Sequence, residues 1–193
     1  MRILIITVLL SISSNALSAT ERAIFAGGCF WCVEADFDKV KGVVKTVSGF
    51  DGGTRKNPTY RQVSSGGTNY LEAVEVIFDP QQVSYGELVK YFMRHIDPTD
   101  SGGQFCDRGN SYRSAIFYLN EEQKKTAERI LLDLKKSINP IVTSIKPSTH
   151  FYPAEGYHQN YYKKNPIRYK YYRWRCGRDE RIEALWGEVS APS

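Results

Sequence analysis

Short apolar runs alternate along this chain with segments whose apolar residues recur every three or four positions. Runs rich in Val, Ile, Phe and Ala that are bounded by turn-forming residues predict strands. Segments with the longer period predict amphipathic helices. The strand predictions cover residues 23–26, 71–78, 115–119 and 141–145. The repeated switch between the two periods indicates one α+β domain.

Three helices have recognisable starting residues. Phe30 opens a helical pattern directly after two glycines, which predicts a strand, a tight turn and then a helix. Ser84 and Glu87 form a capping box ahead of a second helix, which Pro98 ends. Asn120 is the predicted N-cap of a third. In the first helix Phe30, Val33, Glu34 and Phe37 fall at helical spacing. The apolar stripes of the other two are Tyr85, Leu88, Val89, Phe92, Met93 and Ile96, and Ala127, Ile130, Leu131 and Leu134.

The segment after Pro147 is aromatic and basic and has no clean period. It holds seven of the 13 tyrosines, and a short amphipathic stretch follows over residues 179–186. We expect a long coil-rich C-terminal segment that wraps over the sheet. Its basic residues interleaved with rings also resemble a surface for single-stranded nucleic acid, but a solvated face over buried tyrosines is the stronger interpretation.

The first residues differ in kind from the rest of the chain. Arg2 is followed by an apolar run over residues 3–10 and then by small residues up to Ala19. This order is typical of a secretory signal peptide, and the run is too short to span a bilayer. A buried first strand is the alternative. We predict a leader over residues 1–19, one domain over 20–193, no membrane anchor, and a secreted or periplasmic location.

Composition narrows the function classes. The 193 residues are 41% hydrophobic and 24% charged, which is ordinary globular usage and excludes a disordered or fibrous chain. The formal net charge of +5 is too small to indicate a nucleic-acid partner. Four cysteines are far too few for a disulfide scaffold, so each thiol is considered separately.

The candidate nucleophile is Cys29, in the run Gly27-Gly28-Cys29-Phe30-Trp31-Cys32. The glycine turn places Cys29 at a helix start, where free N–H groups and the helix dipole favour a thiolate. Phe30 and Trp31 supply apolar walls beside the sulfur. A buried structural cysteine is the alternative.

Gly28-Cys29-Phe30-Trp31 resembles the active-site signature of the A-class peptide methionine sulfoxide reductases. The resemblance continues, in order and spacing, over nearly all of the chain after the leader. It implies a two-layer α/β sandwich with a mixed sheet and a ferredoxin-like core. It also implies thiol-dependent reduction of methionine S-sulfoxide, free or in proteins, without a metal or flavin cofactor. The further matching segments are 57–63 (NPTYRQV), Gly66, 71–76 (LEAVEV), 107–109 (DRG), 111–114 (SYRS), 151–152 (FY), 154–155 (AE) and 157–159 (YHQ).

A sulfoxide reacts at sulfur only when its oxygen is protonated or strongly hydrogen-bonded, so the site needs a proton donor. Glu72 is the candidate, because it begins a strand on the same face as Val74, Val76 and Phe78. An apolar face raises a carboxyl pKa, as a general acid requires. A solvated strand-end Glu72 is the alternative. The resemblance implies that Tyr60 and Tyr112 donate hydrogen bonds to the sulfoxide oxygen, that Asp107 belongs to the site, and that Phe30 and Trp31 hold the substrate methyl group.

The other cysteines are candidates for recycling. A sulfenic acid on Cys29 would condense with a second thiol. Cys176, flanked by Gly177 on the predicted coil, is the first choice as resolving residue, and Cys32 is its rival. Cys106, directly before Asp107, has no evident role. A structural disulfide between Cys32 and Cys106 is a further possibility.

Two other functions use the same cysteines. Cys29 and Cys32 form a C-x-x-C motif, which a thioredoxin-like thiol-disulfide oxidoreductase would use directly. A zinc site built from all four cysteines lacks a second paired spacing. The first function leaves Glu72, Tyr60 and Tyr112 unexplained, so we expect a monomeric reductase supplied with electrons by a thioredoxin-like protein, with no bound cofactor and no nucleic-acid partner.

Overall fold

This computed structural model describes residues 19–187. The predicted leader therefore lies outside the described residues, apart from Ala19. None of the helices described is long and apolar enough to cross a membrane. The strands are β1 (Glu21–Ala26), β2 (Val43–Asp51), β3 (Leu71–Phe78), β4 (Gly103–Gln104), β5 (Asp107–Arg108), β6 (Ala115–Tyr118), β7 (Ser144–Pro147) and β8 (Tyr152–Pro153). The helices are α1 (Phe30–Phe37), α2 (Tyr60–Ser64), α3 (Tyr85–Arg94), α4 (Glu121–Leu134), α5 (Tyr161–Lys164), α6 (Pro166–Arg175) and α7 (Arg178–Trp186), with a 3₁₀ turn over Asn110–Tyr112.

Six strands form one mixed sheet in the order β7-β6-β1-β3-β2-β8. All neighbours are antiparallel except β6 and β7, which are parallel. The central four strands, β6-β1-β3-β2, with crossovers through α1 and α3, form the β-α-β-β-α-β arrangement of a ferredoxin-like core. The predicted α+β sandwich with a mixed sheet is confirmed.

The two faces of the sheet are covered differently. Val74, Val76 and Phe78 of β3 pack into the main core with residues of α1, α3 and α4. The alternate residues Leu71 and Ala73 point to the opposite face, where a smaller cluster lies. Because side chains alternate along a strand, Glu72 projects to the helix side, as the sequence predicted.

Most predicted elements are present. The capping box of Ser84 and Glu87 starts α3, and Asn120 accepts a hydrogen bond from the N–H of Gln123 at the start of α4. The strand predicted from residue 141 begins instead at Ser144. Strand β2 and helix α2 were not predicted, since lysine and threonine interrupt the apolar pattern of Val43–Asp51.

The prediction of a coil-rich C-terminal segment is wrong, because residues 161–186 form α5, α6 and α7. Buried charges hold these helices against α1. Arg173 of α6 pairs with Asp36 at 3.0 Å, and Arg178 of α7 lies 3.8 Å from the same carboxylate. Burial alone would raise the pKa of Asp36, but the two guanidinium groups lower it below its ordinary value.

We expect Asp36→Asn to lower the free energy of unfolding by about 3–5 kcal/mol, because it leaves two guanidinium groups without a buried counter-charge. Urea unfolding followed by circular dichroism measures the change. Asp133→Asn is the matched control, since Asp133 pairs with Lys136 on the exposed surface of the chain and its loss should change stability little. Equal effects of the two substitutions would contradict the role given to Asp36.

Candidate active site

Cys29 lies at the turn between β1 and α1. It is the N-cap residue of α1, and Gly28 before it has φ +81°, a conformation that favours glycine. A Cβ on Gly28 would lie 2.5 Å from the Cβ of Gln104, which is buried in β4. The turn therefore needs glycine for both its backbone angle and its close packing, and this packing fixes where the Cys29 sulfur lies.

A pocket of roughly 100 Å³ opens beside Cys29. It brings together seven of the eight site residues that the sequence predicted, from α1, α2, β3, β5 and the 3₁₀ turn. Cys176 does not line it, and Tyr172, which the sequence did not single out, does. The lining residues are Cys29, Phe30, Trp31, Tyr60, Glu72, Asp107, Tyr112 and Tyr172.

Glu72 is buried under the start of α1. Glu72 is 2% exposed, and its Oε2 accepts a hydrogen bond from the Phe30 N–H at 3.1 Å. Burial raises the pKa of Glu72 to about 8, and the charge of Asp107 adds to this, while the Phe30 N–H opposes it. The carboxyl is therefore protonated at neutral pH, and the solvated alternative is wrong.

The thiol of Cys29 is also protonated. Burial raises its pKa well above the usual range, and a hydrogen bond with the Cys32 thiol raises it further. The expected thiolate at the helix start is therefore not favoured, since desolvation outweighs the helix dipole. Cys29 and Glu72 together hold two protons next to the pocket.

Two phenols complete the polar side of the pocket. Tyr60 and Tyr112 both line the pocket, and each phenol affects the pKa of the other. Burial raises the pKa of Tyr60 to about 12 and that of Tyr112 further. Both phenols are therefore neutral at pH 7 and can donate hydrogen bonds without bringing charge.

Asp107 is held by a residue of the C-terminal helices. The Tyr172 hydroxyl, on α6, donates to Oδ2 of Asp107. Burial raises the pKa of Asp107. This contact joins the β4–β5 hairpin to α6 and closes the pocket on that side.

The apolar wall depends on His158. Trp31 Nε1 donates to His158 Nδ1 at 3.1 Å, and the Trp31 ring stacks on Tyr161 with centroids 3.8 Å apart. Burial lowers the pKa of His158, which keeps the ring neutral so that Nδ1 can accept. In the sequence, His158 stood out only as part of the matching segment 157–159, and no role was predicted for it.

The loop that carries His158 is fixed to the sheet and to α2. Gln159 exchanges hydrogen bonds with the Ser48 backbone on β2, with Ser48 N–H donating at 2.9 Å and Gln159 Nε2 donating back at 2.8 Å. Glu155 accepts from the Tyr60 N–H at 3.0 Å. Residues 154–159 do not line the pocket. Their contacts instead hold His158 in the position where it accepts from Trp31.

The cysteines pair differently from the sequence expectations. Cys106 and Cys176 form a disulfide, whereas Cys29 and Cys32 are free and buried. A disulfide between Cys32 and Cys106 is therefore wrong, and so is the four-cysteine zinc site, because Cys106 and Cys176 offer no thiolates. The disulfide lies next to the pocket wall, since Cys106 precedes Asp107 and Cys176 lies one helical turn after Tyr172.

This geometry suits attack by a thiol sulfur on a small polar group that carries an apolar substituent. The Cys29 thiol can serve as a nucleophile, and Glu72 is a buried acid with a pKa raised to about 8, which suits proton donation at neutral pH. Tyr60 and Tyr112 supply neutral donors for an oxygen, and the rings of Phe30 and Trp31 form an apolar wall. Every group needed is a side chain of the chain itself.

Comparisons with known proteins agree with this geometry. A family model described as peptide methionine sulfoxide reductase matches residues 21–190. The chain is 52% identical over 171 residues to the peptide methionine sulfoxide reductase MsrA of Halalkalibacterium halodurans, covering 87% of this chain and 97% of that one. It is 48% identical over 170 residues to MsrA/MsrB of Vibrio cholerae, covering 86% of this chain and 45% of that protein. The solved methionine sulfoxide reductase A of Corynebacterium diphtheriae is similar with a TM-score of 0.69 at 36% identity, covering 79% of this chain and 78% of that one.

Proposed function

The chain belongs to the peptide methionine sulfoxide reductase family, and we propose that it reduces the S-epimer of methionine sulfoxide, free or in proteins, and so repairs oxidised proteins. The observation that carries this proposal is the pocket in which the Cys29 thiol faces the protonated, buried Glu72. A carboxyl kept neutral at pH 7 is what activation of a sulfoxide oxygen requires.

In the proposed chemical step the substrate methyl group lies against Phe30 and Trp31. Glu72 gives its proton to the sulfoxide oxygen as Cys29 Sγ attacks the sulfoxide sulfur, and the thiol proton passes to the Glu72 carboxylate. The new bond between Cys29 Sγ and the substrate sulfur then breaks as the hydroxyl passes from the substrate sulfur to Cys29 Sγ, which gives a Cys29 sulfenic acid. The substrate sulfur gains two electrons, the Cys29 sulfur loses two, and methionine is released.

The thioredoxin-like alternative is not favoured. Such an enzyme uses an accessible first cysteine whose pKa is lowered. Cys29 is buried, and its pKa is raised. That function also leaves the convergence of Glu72, Tyr60 and Tyr112 without a purpose.

Regeneration is proposed to use Cys176 as the resolving thiol. Its attack on the Cys29 sulfenic acid would form an intramolecular disulfide and release water. The Cys106–Cys176 disulfide must open before Cys176 can do this. A thioredoxin-like protein would supply the electrons, with no bound cofactor. The predicted leader supports a secreted or periplasmic location, and the proposed donor would act in the same compartment. We propose a monomer, because the pocket must admit exposed methionines on many proteins.

The direct test is methionine production from methionine S-sulfoxide with dithiothreitol as reductant. We expect the wild type to be active and Cys29→Ser to lose all turnover, because the nucleophile is gone. Cys106→Ser is the matched control, since Cys106 is an exposed cysteine that does not line the pocket and dithiothreitol can reduce the oxidised enzyme directly. Residual turnover above a few per cent in Cys29→Ser would contradict the assignment.

Glu72→Gln should slow single-turnover reduction by roughly 10²- to 10⁴-fold, because the amide keeps the shape but delivers no proton. With its pKa raised to about 8, Glu72 is protonated below pH 8 and loses its proton above it. The wild-type rate should therefore fall about tenfold per pH unit above this value. A rate that keeps rising through pH 9, as thiolate accumulates, would show that the proton comes from elsewhere.

Cys176→Ser should separate oxygen transfer from regeneration. After reduction with dithiothreitol and its removal, we expect a burst of about one methionine per enzyme and then no turnover with a thioredoxin-type donor. Small thiols should restore part of the turnover by attacking the sulfenic acid directly. Sustained turnover of this variant with the protein donor, or recovery of a Cys29–Cys32 crosslink from oxidised wild type, would make Cys32 the resolving residue.

A further inference from the structure

The outer face of α6 carries a stripe of large apolar side chains in solvent. Ile167, Tyr171 and Trp174 are 83%, 57% and 75% exposed. Their spacing of four and then three residues places them on one side of the helix. The other side faces inward, since Tyr169 is buried and Tyr172 reaches the pocket. Adjacent exposed aromatic and aliphatic residues of this kind are typical of a protein-binding surface.

This apolar stripe leads to the disulfide. Cys176 is the C-cap residue of α6, two positions after Trp174. Cys106 is exposed, and Cys176 is half-buried. A protein seated on the stripe would therefore have the Cys106 sulfur within reach at the end of the helix.

Positive charges surround the apolar stripe. Arg168, Lys170 and Arg175 are exposed on α6. Within residues 19–187, none of the salt bridges involves these three side chains. An apolar centre with an unneutralised basic rim complements a partner that has apolar residues around its reactive group and acidic residues outside them.

We propose that the α6 stripe is the docking site of the dithiol protein that reduces this enzyme, and that electrons enter through the Cys106–Cys176 disulfide. This inference rests on the proposed function. An exposed disulfide beside an apolar surface needs a partner that presents a thiolate, and the basic rim favours an acidic protein over a small thiol.

The electron transfers balance through these residues. A donor thiolate attacks the exposed Cys106 sulfur, the S–S bond breaks, and Cys176 leaves as a thiolate that takes up a proton. The second donor thiol then attacks the mixed disulfide, so that the donor is oxidised to a disulfide and Cys106 is freed. Cys176 can now resolve the Cys29 sulfenic acid with loss of water. Attack of Cys106 on Cys176 of that new disulfide restores the Cys29 thiol and the Cys106–Cys176 bond.

The first test compares two reductants on one double variant, Ile167→Ser with Trp174→Ser. With thioredoxin recycled by NADPH and thioredoxin reductase, kcat/KM for the donor should fall about tenfold or more, since buried Trp contacts dominate interfaces. Turnover with dithiothreitol should not change. Leu132→Ser is the matched control, because Leu132 is 66% exposed on α4 and should alter neither rate. An unchanged donor kcat/KM, or an equal loss with dithiothreitol, would overturn the docking site.

The second test needs no methionine sulfoxide, so it separates failure of this inference from failure of the proposed function. Thioredoxin whose second active-site cysteine is replaced by serine is mixed with the oxidised enzyme, and the mixed disulfide is mapped by mass spectrometry. We expect a crosslink to Cys106 that is weakened by the double variant. A crosslink chiefly to Cys29 or Cys176, or one that the double variant leaves unchanged, would overturn the assignment.

Discussion

The arrangement of the site depends on one buried guanidinium group, that of Arg178. It lies 3.8 Å from the Asp36 carboxylate on α1, donates to the carbonyl oxygens of Gly27 at 3.3 Å and His95 at 2.9 Å, and lies over the Phe105 ring. These contacts join the turn before Cys29, the end of α3, the β4–β5 hairpin and α7. Burying a charge is costly unless it is paired and hydrogen-bonded, so these partners stabilise the C-terminal helices in this position. Their position in turn brings Tyr172 to the pocket and Cys176 to Cys106.

Burial of the site also sets its proton content. Desolvation keeps Glu72 neutral and Cys29 protonated, although the helix start and the Phe30 N–H favour the charged forms. An acid that is to protonate a weakly basic sulfoxide oxygen gains from this environment. The same environment leaves little Cys29 thiolate, so in the proposed step the thiol must give up its proton during the attack. The phenols of Tyr60 and Tyr112 suit the same environment because they donate hydrogen bonds while neutral.

The sequence predicted the parts of the fold whose pattern reflects one buried face. Strand β3 and helices α3 and α4 have clear periods or caps. The residue pattern pointed to Cys29, Phe30, Trp31 and Glu72, and the resemblance to a known family added Tyr60, Tyr112 and Asp107. Helix α6 could not be recognised in the same way, because Ile167, Tyr171 and Trp174 on its outer face are as apolar as Tyr169 and Tyr172 on its inner face. Its stability comes from tertiary contacts of Arg173 and Arg178 with Asp36, which no local pattern reveals. The pairing of Cys106 with Cys176 likewise depends on where α6 ends.

The oxidation state of the chain separates the two halves of its chemistry. Cys29 is a free thiol, whereas Cys106 and Cys176 are joined. Oxygen transfer needs only Cys29 and the groups around the pocket, so the chain in this state is equipped for one turnover. The sulfenic acid that results has no Cys176 thiol to react with until an external reductant opens the disulfide. Access to Cys106 on the surface therefore controls repeated turnover in the proposed cycle. Asp107 and Tyr172 contact each other, and both line the pocket. Asp107 directly follows Cys106, and Tyr172 lies one helical turn before Cys176. This contact therefore links the pocket wall to the disulfide.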